Sequence, residues 1–101
     1  MVAFTARLRA LPGKEREAEE GLKAMAAAVQ ANEPGALAYI CHATPHPGEY
    51  LFFEVYADEA AKDAHMATPH FRKLMALMGP VLDENFGAKI ENLNRVAGFM
   101  R

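Results

Sequence analysis

The chain reads as an α+β fold with the element order β-α-β-β-α-β, and three features carry that prediction. Residues 50–56 (YLFFEVY) form an aromatic and aliphatic run with one charged member, Glu54, which is the length and composition of a strand buried on both faces. Residues 2–11 and 89–96 alternate in polarity, the two-residue period of half-buried strands. Residues 14–31 and 58–78 instead repeat apolar side chains at helical spacing.

In the first strand Val2, Phe4, Ala6 and Leu8 lie on one side, Ala3, Thr5, Arg7 and Arg9 on the other, and Pro12-Gly13 closes it. Lys14 to Ala31 follows as a helix with Ala18, Leu22, Met25, Ala26 and Val29 inward and Glu15, Arg16, Glu19, Glu20 and Lys23 outward. Gly21 inside it costs about 1 kcal/mol relative to alanine, so close packing is expected there. Residues 32–35 (NEPG) break the helix, residues 36–44 form a second strand, and Pro45-His46-Pro47-Gly48 leads into the central strand. Asp58 caps a short helix whose inward face is expected to be Ala61, Ala64, His65 and Thr68. Thr68-Pro69 starts the next helix, because proline's missing donor is harmless in a first turn and biases Thr68 to the extended geometry of a cap. An apolar stripe of Phe71, Leu74, Met75 and Met78 runs along this helix to a stop at Gly79-Pro80. Residues 81–87 are expected to form a loose link, 89–96 (KIENLNRV) the fourth strand and 97–101 a tail.

At 101 residues the chain is expected to be one domain, without repeat or linker. With 11 basic and 13 acidic residues it offers no electrostatic case for nucleic acid, and no stretch suits a membrane span. A lone cysteine, Cys41, excludes an internal disulfide and fits a reducing compartment. Arg7 and Arg9 interrupt the N-terminal run where a signal peptide stays apolar, so the cytoplasm is the expected location. Both helical segments of this topology cover the same sheet face, yet the central strand is apolar at both parities: Leu51, Phe53 and Val55 as well as Tyr50, Phe52 and Tyr56. Something must cover the second face, and in an antiparallel sheet the expected cover is a second copy of the chain, giving a homodimer.

The segments EPGALAY (33–39), FFEVYADEAA (52–61) and HMATPHFRKL (65–74) resemble the antibiotic biosynthesis monooxygenase family, the His-x-x-Thr-Pro-His-Phe run being the most specific part. The resemblance spans nearly the whole chain. It implies a ferredoxin-like protomer in a dimeric α+β barrel, with a pocket between each protomer's own sheet and helices. The family includes cofactor-independent quinone-forming monooxygenases, quinol monooxygenases, haem-degrading enzymes and an enzyme acting on a phosphorylated autoinducer, so fold alone does not assign chemistry. The haem-degrading subgroup relies on an Asn of the first strand with a Trp and a His on the helices. Ala6, His65 and Met75 fall at those positions here, which argues against haem.

His65 is the expected catalytic residue. Its spacing with Ala61 and Ala64 turns it inward, and an imidazole near its ordinary pKa accepts a proton from a phenol or enol at neutral pH. The competing reading is a core histidine satisfied by a backbone carbonyl or by Glu54. His70, at the second position of the next helix, is expected at the rim, orienting a substrate oxygen or making local helix-start contacts. Phe4, Met66, Phe71, Met75 and Met78 are expected to line an apolar substrate pocket, against the alternative of plain core. The His65/His70 pair has a proline between its members and no acid or cysteine following at ligand spacing, so no metal is expected. Cys41 reads as structural, His42 as facing a partner and His46 as part of an exposed turn. No glycine-rich nucleotide or flavin fingerprint occurs, and no cofactor is expected.

The resemblance therefore implies a cofactor-independent monooxygenase that deprotonates a small quinol or phenol and lets O₂ react with the anion. Two alternatives stay open at this point. One is an isomerase-like enzyme for a small phosphorylated metabolite, with Arg7, Arg72 or Lys73 as the cationic group. The other is a non-catalytic small-ligand binder.

Overall fold

The computed structural model describes residues 1–101. Its strands are β1 (Val2–Arg9), β2 (Ala36–Ala43), β3 (Glu49–Tyr56) and β4 (Lys89–Leu93), and its helices are α1 (Glu15–Asn32), α2 (Glu59–Ala67) and α3 (Pro69–Met78). All pairings are antiparallel, in the order β2-β3-β1-β4. This is the ferredoxin-like α+β arrangement, with the second helical segment divided in two.

The division follows from two caps. The Asp58 carboxylate accepts the Ala61 N–H at 2.8 Å and starts α2. Thr68 ends α2 in extended geometry and starts α3: its hydroxyl accepts the Phe71 N–H at 3.2 Å and donates to the His65 carbonyl at 2.7 Å. One side chain thus holds the kink and both histidine-bearing helices.

Paired residues of neighbouring strands share a face, and the registers Phe4↔Glu54, Ala6↔Phe52, Leu8↔Tyr50 and Cys41↔Phe52 set the helix-facing parity. Against it pack Ala18 and Leu22 of α1 and Met78 of α3, closing a core with Ala10, Tyr50, Phe52 and Val81. Each large apolar side chain buried there contributes roughly 1.5–3 kcal/mol. Gly21 faces α3 directly: a Cβ there would lie 2.1 Å from Met78 Sδ, so the glycine in mid-helix is what lets α1 and α3 approach.

Several expectations need correction. The first strand ends at Arg9, because Ala10 pairs instead with Leu82 in an isolated bridge. Residues 81–83 are accordingly no loose link: Leu11 N–H donates to the Val81 carbonyl and Asp83 N–H to the Arg9 carbonyl, both at 2.8 Å. The fourth strand stops at Leu93 and is exposed throughout. Ala64 is exposed rather than inward; the covered positions of α2 are Ala61, Lys62 and His65, and Lys62 Nζ lies over the Phe4 ring of β1. Gly79 stays right-handed (φ −49°), so the helix is not ended by a left-handed glycine; Pro80, which has no N–H to continue the ladder, stops it. On the opposite sheet parity Ile40 is 49% exposed and Leu93 36%, while Phe53 between them is only partly covered.

Candidate active site

The α1–β2 turn places one side chain that decides the site. Glu33 caps α1 through its N–H to the Val29 carbonyl, and Gly35 follows two residues later. A Cβ at Gly35 would sit 2.7 Å from the Ala61 Cβ, so glycine lets the turn rest on the first turn of α2. The Gly35 carbonyl also accepts the Ala57 N–H at 2.8 Å. With the turn fixed on α2, the Glu33 carboxylate reaches His65 one turn further along.

His65 Nδ1–H donates to both Glu33 oxygens, at 2.9 and 3.0 Å, and His70 Nε2–H donates to Oε2 at 2.5 Å. A carboxylate only accepts, so these contacts assign the proton to Nδ1 of His65 and to Nε2 of His70. The His65 ring is 5% exposed and boxed by Tyr39, Tyr56 and Phe71 at centroid distances of 5.5, 5.7 and 5.0 Å, the last edge-on. Its orientation is therefore set by one anion and three aromatic rings. The other nitrogen, Nε2, has no protein partner. Every fully enclosed side-chain nitrogen or oxygen of the protein does have one, so Nε2 is open to the space beside it.

That space is a cavity of about 130 Å³ between sheet and helices. Phe4, Met66, Phe71, Met75 and Met78 all lie on its wall, together with Ala6 and Gly21. An apolar cavity of about 150 Å³ accepts benzene, so the enclosed part suits one aromatic ring. Beyond the Tyr39 phenol, the only titratable groups on the wall are His65 and Glu54. Burial pushes the Glu54 carboxyl above its usual range, opposed by the Tyr56 hydroxyl that donates to it at 2.7 Å. Burial raises the Tyr39 and Tyr56 phenols as well, and they stay protonated at physiological pH.

The sequence-predicted residues thus divide. His65 and the five apolar residues meet at one cavity, as do Ala6 and Met75, the positions compared with the haem-degrading subgroup. His70 does not reach the cavity rim; it points to Glu33 behind His65, because the kink at Thr68 turns the start of α3 toward the α1–β2 turn. The partner of His65 is Glu33, neither a backbone carbonyl nor Glu54. Sequence reasoning does not reach Glu33, because residues 32–35 read only as a helix breaker. The available signal was its place in the EPGALAY segment. Arg7 pairs loosely with Glu49 at 3.9 Å, Arg72 and Lys73 are exposed, and none of the three lines the cavity. His42 is exposed, its Nδ1–H directed to the Leu51 carbonyl at 3.1 Å, and His46 is exposed in its turn. Burial raises the Cys41 thiol to about 11, which keeps it unreactive at neutral pH.

A ferredoxin-like sheet with an oriented imidazole on the wall of a ring-sized apolar cavity defines a small-molecule site of the α+β class. The chain matches the Antibiotic biosynthesis monooxygenase family over residues 1–77, and it belongs to that family. A Caulobacter crescentus protein provisionally assigned as an antibiotic biosynthesis monooxygenase is 34% identical, covering 95% of this chain and 90% of its own with a TM-score of 0.86. A Pseudomonas aeruginosa protein is 29% identical over 95% of this chain and 94% of its own, TM-score 0.83. A Bacteroides thetaiotaomicron protein with the same provisional assignment is 25% identical over 99% and 93%, TM-score 0.87. No curated protein matches the chain. No helix is long and apolar enough to cross a membrane.

Proposed function

We propose that the protein is a cofactor-independent monooxygenase of a small quinol or phenol, with His65 as general base. The carrying observation is the His65 imidazole, whose Nδ1–H is held by Glu33 while Nε2 faces an apolar cavity. In the neutral ring Nε2 is a lone pair, placed to take the hydroxyl proton of an aromatic ring seated against Phe4, Phe71 and Met75. The resulting anion is electron-rich enough to react with O₂. One oxygen atom enters the ring, the other leaves as water, and the four electrons come from the substrate: phenol plus O₂ gives quinone plus water, and quinol plus O₂ gives hydroxyquinone plus water. The protein supplies base, orientation and exclusion of water.

The alternative of a phosphorylated substrate lacks its cationic group, since Arg7, Arg72 and Lys73 all lie off the cavity wall. We place the enzyme in solution as a homodimer closed over the outer sheet face, where Ile40, Phe53 and Leu93 form an apolar patch. Light scattering should return twice the chain mass, and Phe53→Asp should break the assembly; a stable wild-type monomer refutes the dimer.

The function is tested by O₂ uptake with menadiol-type substrates above autoxidation. A positioned base is worth roughly 10²–10⁴-fold, so His65→Ala should lower turnover by that much with the fold retained. Uptake at background, or an unchanged rate in His65→Ala, refutes the assignment.

A further inference from the structure

The Glu33–His65–His70 cluster holds more donor capacity than a histidine clamp requires. One carboxylate oxygen and two imidazole nitrogens, each from a different element, lie within 4.8 Å of one another. Two imidazoles and a carboxylate are a donor set for divalent first-row metals. The cluster is nearly closed: the side chains of Glu33, His65 and His70 are 9%, 6% and 17% exposed. Its only ion-pair partners for the Glu33 carboxylate are the two imidazoles, which carry charge only when protonated.

We propose that Glu33, His65 and His70 form a binding site for a divalent transition-metal ion such as Zn²⁺ or Co²⁺, and that occupancy reverses the His65 tautomer presented to the cavity. Ligands on a tetrahedral ion at 2.0–2.2 Å stand about 3.3 Å apart. His65 Nδ1 now lies 2.9 and 3.0 Å from the two Glu33 oxygens and His70 Nε2 lies 2.5 Å from Oε2, and the donors all fall within 4.8 Å of one another, so each separation must change by less than about 1.5 Å to take an ion. Of the three residues only His65 lines the cavity, which puts the ion behind the ring and out of the substrate's reach. The ion takes the Nδ1 lone pair, and the proton formerly on Nδ1 moves to Nε2. At His70 the proton moves from Nε2 to Nδ1. No proton is released overall and nothing is oxidised. The cavity then faces an N–H donor in place of a lone pair, and the base of the proposed reaction is silenced. This last consequence rests on the base assignment; the site and the tautomer change do not.

The test begins with metal-free full-length protein titrated with Co²⁺. One ion per chain should bind with visible d–d bands, and Zn²⁺ should displace it. Glu33→Gln and His70→Ala, checked by circular dichroism for a native fold, should each weaken binding by about 100-fold or more. A His42→Ala/His46→Ala double variant should bind as the wild type does. Long-range ¹H–¹⁵N correlation of the His65 ring should read an Nδ1–H tautomer in the free protein and Nε2–H with Zn²⁺. Absence of saturable binding, equal binding by the Glu33 and His70 variants, or an unaltered His65 tautomer overturns the proposal. Zn²⁺ should abolish O₂ uptake and EDTA restore it. If Zn²⁺ binds and switches the tautomer while turnover persists, the metal site is upheld and the base assignment falls.

Discussion

Replacing Glu33 with glutamine keeps the shape of the side chain and removes its charge and one acceptor. In the native protein the carboxylate receives His65 Nδ1–H at 2.9 and 3.0 Å and His70 Nε2–H at 2.5 Å, with little solvent to substitute. A glutamine amide accepts through its oxygen only, so its NH₂ must meet one ring N–H donor against donor. That imidazole has to turn its tautomer or lose the bond. Hydrogen bonds to charged groups contribute about 1.5–3 kcal/mol and neutral ones about 0.5–1.5 kcal/mol. The weakened bond therefore loses about 1 kcal/mol and the conflicted one about 1–3 kcal/mol, a destabilisation of about 2–4 kcal/mol. In a domain of this size each kcal/mol is worth roughly 4–8 °C in Tm, so Glu33→Gln should melt roughly 8–30 °C below the wild type. Calorimetry reads this directly. A double-mutant cycle with His70→Ala should return a coupling of roughly 0.5–3 kcal/mol, because the two side chains share the bond. A Tm within about 2 °C of the wild type, or strict additivity with His70→Ala, would refute the account of Glu33 as the organiser of both histidines.

Gly21→Ala should destabilise the protein although alanine is the better helix former, because the new Cβ would fall 2.1 Å from Met78 Sδ on the cavity wall. Overpacking of this kind costs typically ~1–3 kcal/mol, so thermal melting should show a clear fall in Tm; a rise would mean the α1–α3 approach is loose. The Cys41 thiol, raised from 9.0 to about 11 by burial and then by Glu19, should react slowly with iodoacetamide. At pH 9 the native thiolate is scarcer than in the unfolded chain by roughly 50-fold, and alkylation rates should differ by a similar factor. The sign for stability follows: a folded-state value above the unfolded one favours the fold fully below about pH 9, and that contribution is lost as pH rises through about 11. Tyr50, raised to about 12 by burial and by its hydrogen bond to Glu19, adds to the same alkaline loss. Denaturant titrations at pH 8 and above pH 10 should show the fall; equal stability at both would contradict it.

Local chemistry was enough to set the order of elements. Two caps three residues ahead of the N–H groups they bind, at Asp58 and Thr68, begin α2 and α3 with the predicted starts. Polarity at period two in residues 2–9 and the apolar run at 50–56 became the two central strands. The inward turn of His65 and the apolar stripe of α3 were legible for the same reason, since helical spacing alone decides which side chains share a face. Strand and helix ends that depend on distant partners were not. Arg9 ends β1 because Ala10 pairs with Leu82, more than seventy positions away. The site shows the limit most clearly. Glu33 stands 32 positions before His65 and 37 before His70, and nothing in a helix-breaking NEPG segment marks it as their common acceptor. Only the packing of Gly35 on Ala61 brings that turn against α2, and only then does a carboxylate select the tautomer of His65 and draw His70 away from the cavity. Spacing along the chain determines which faces exist; contact between elements remote in sequence determines what each face meets.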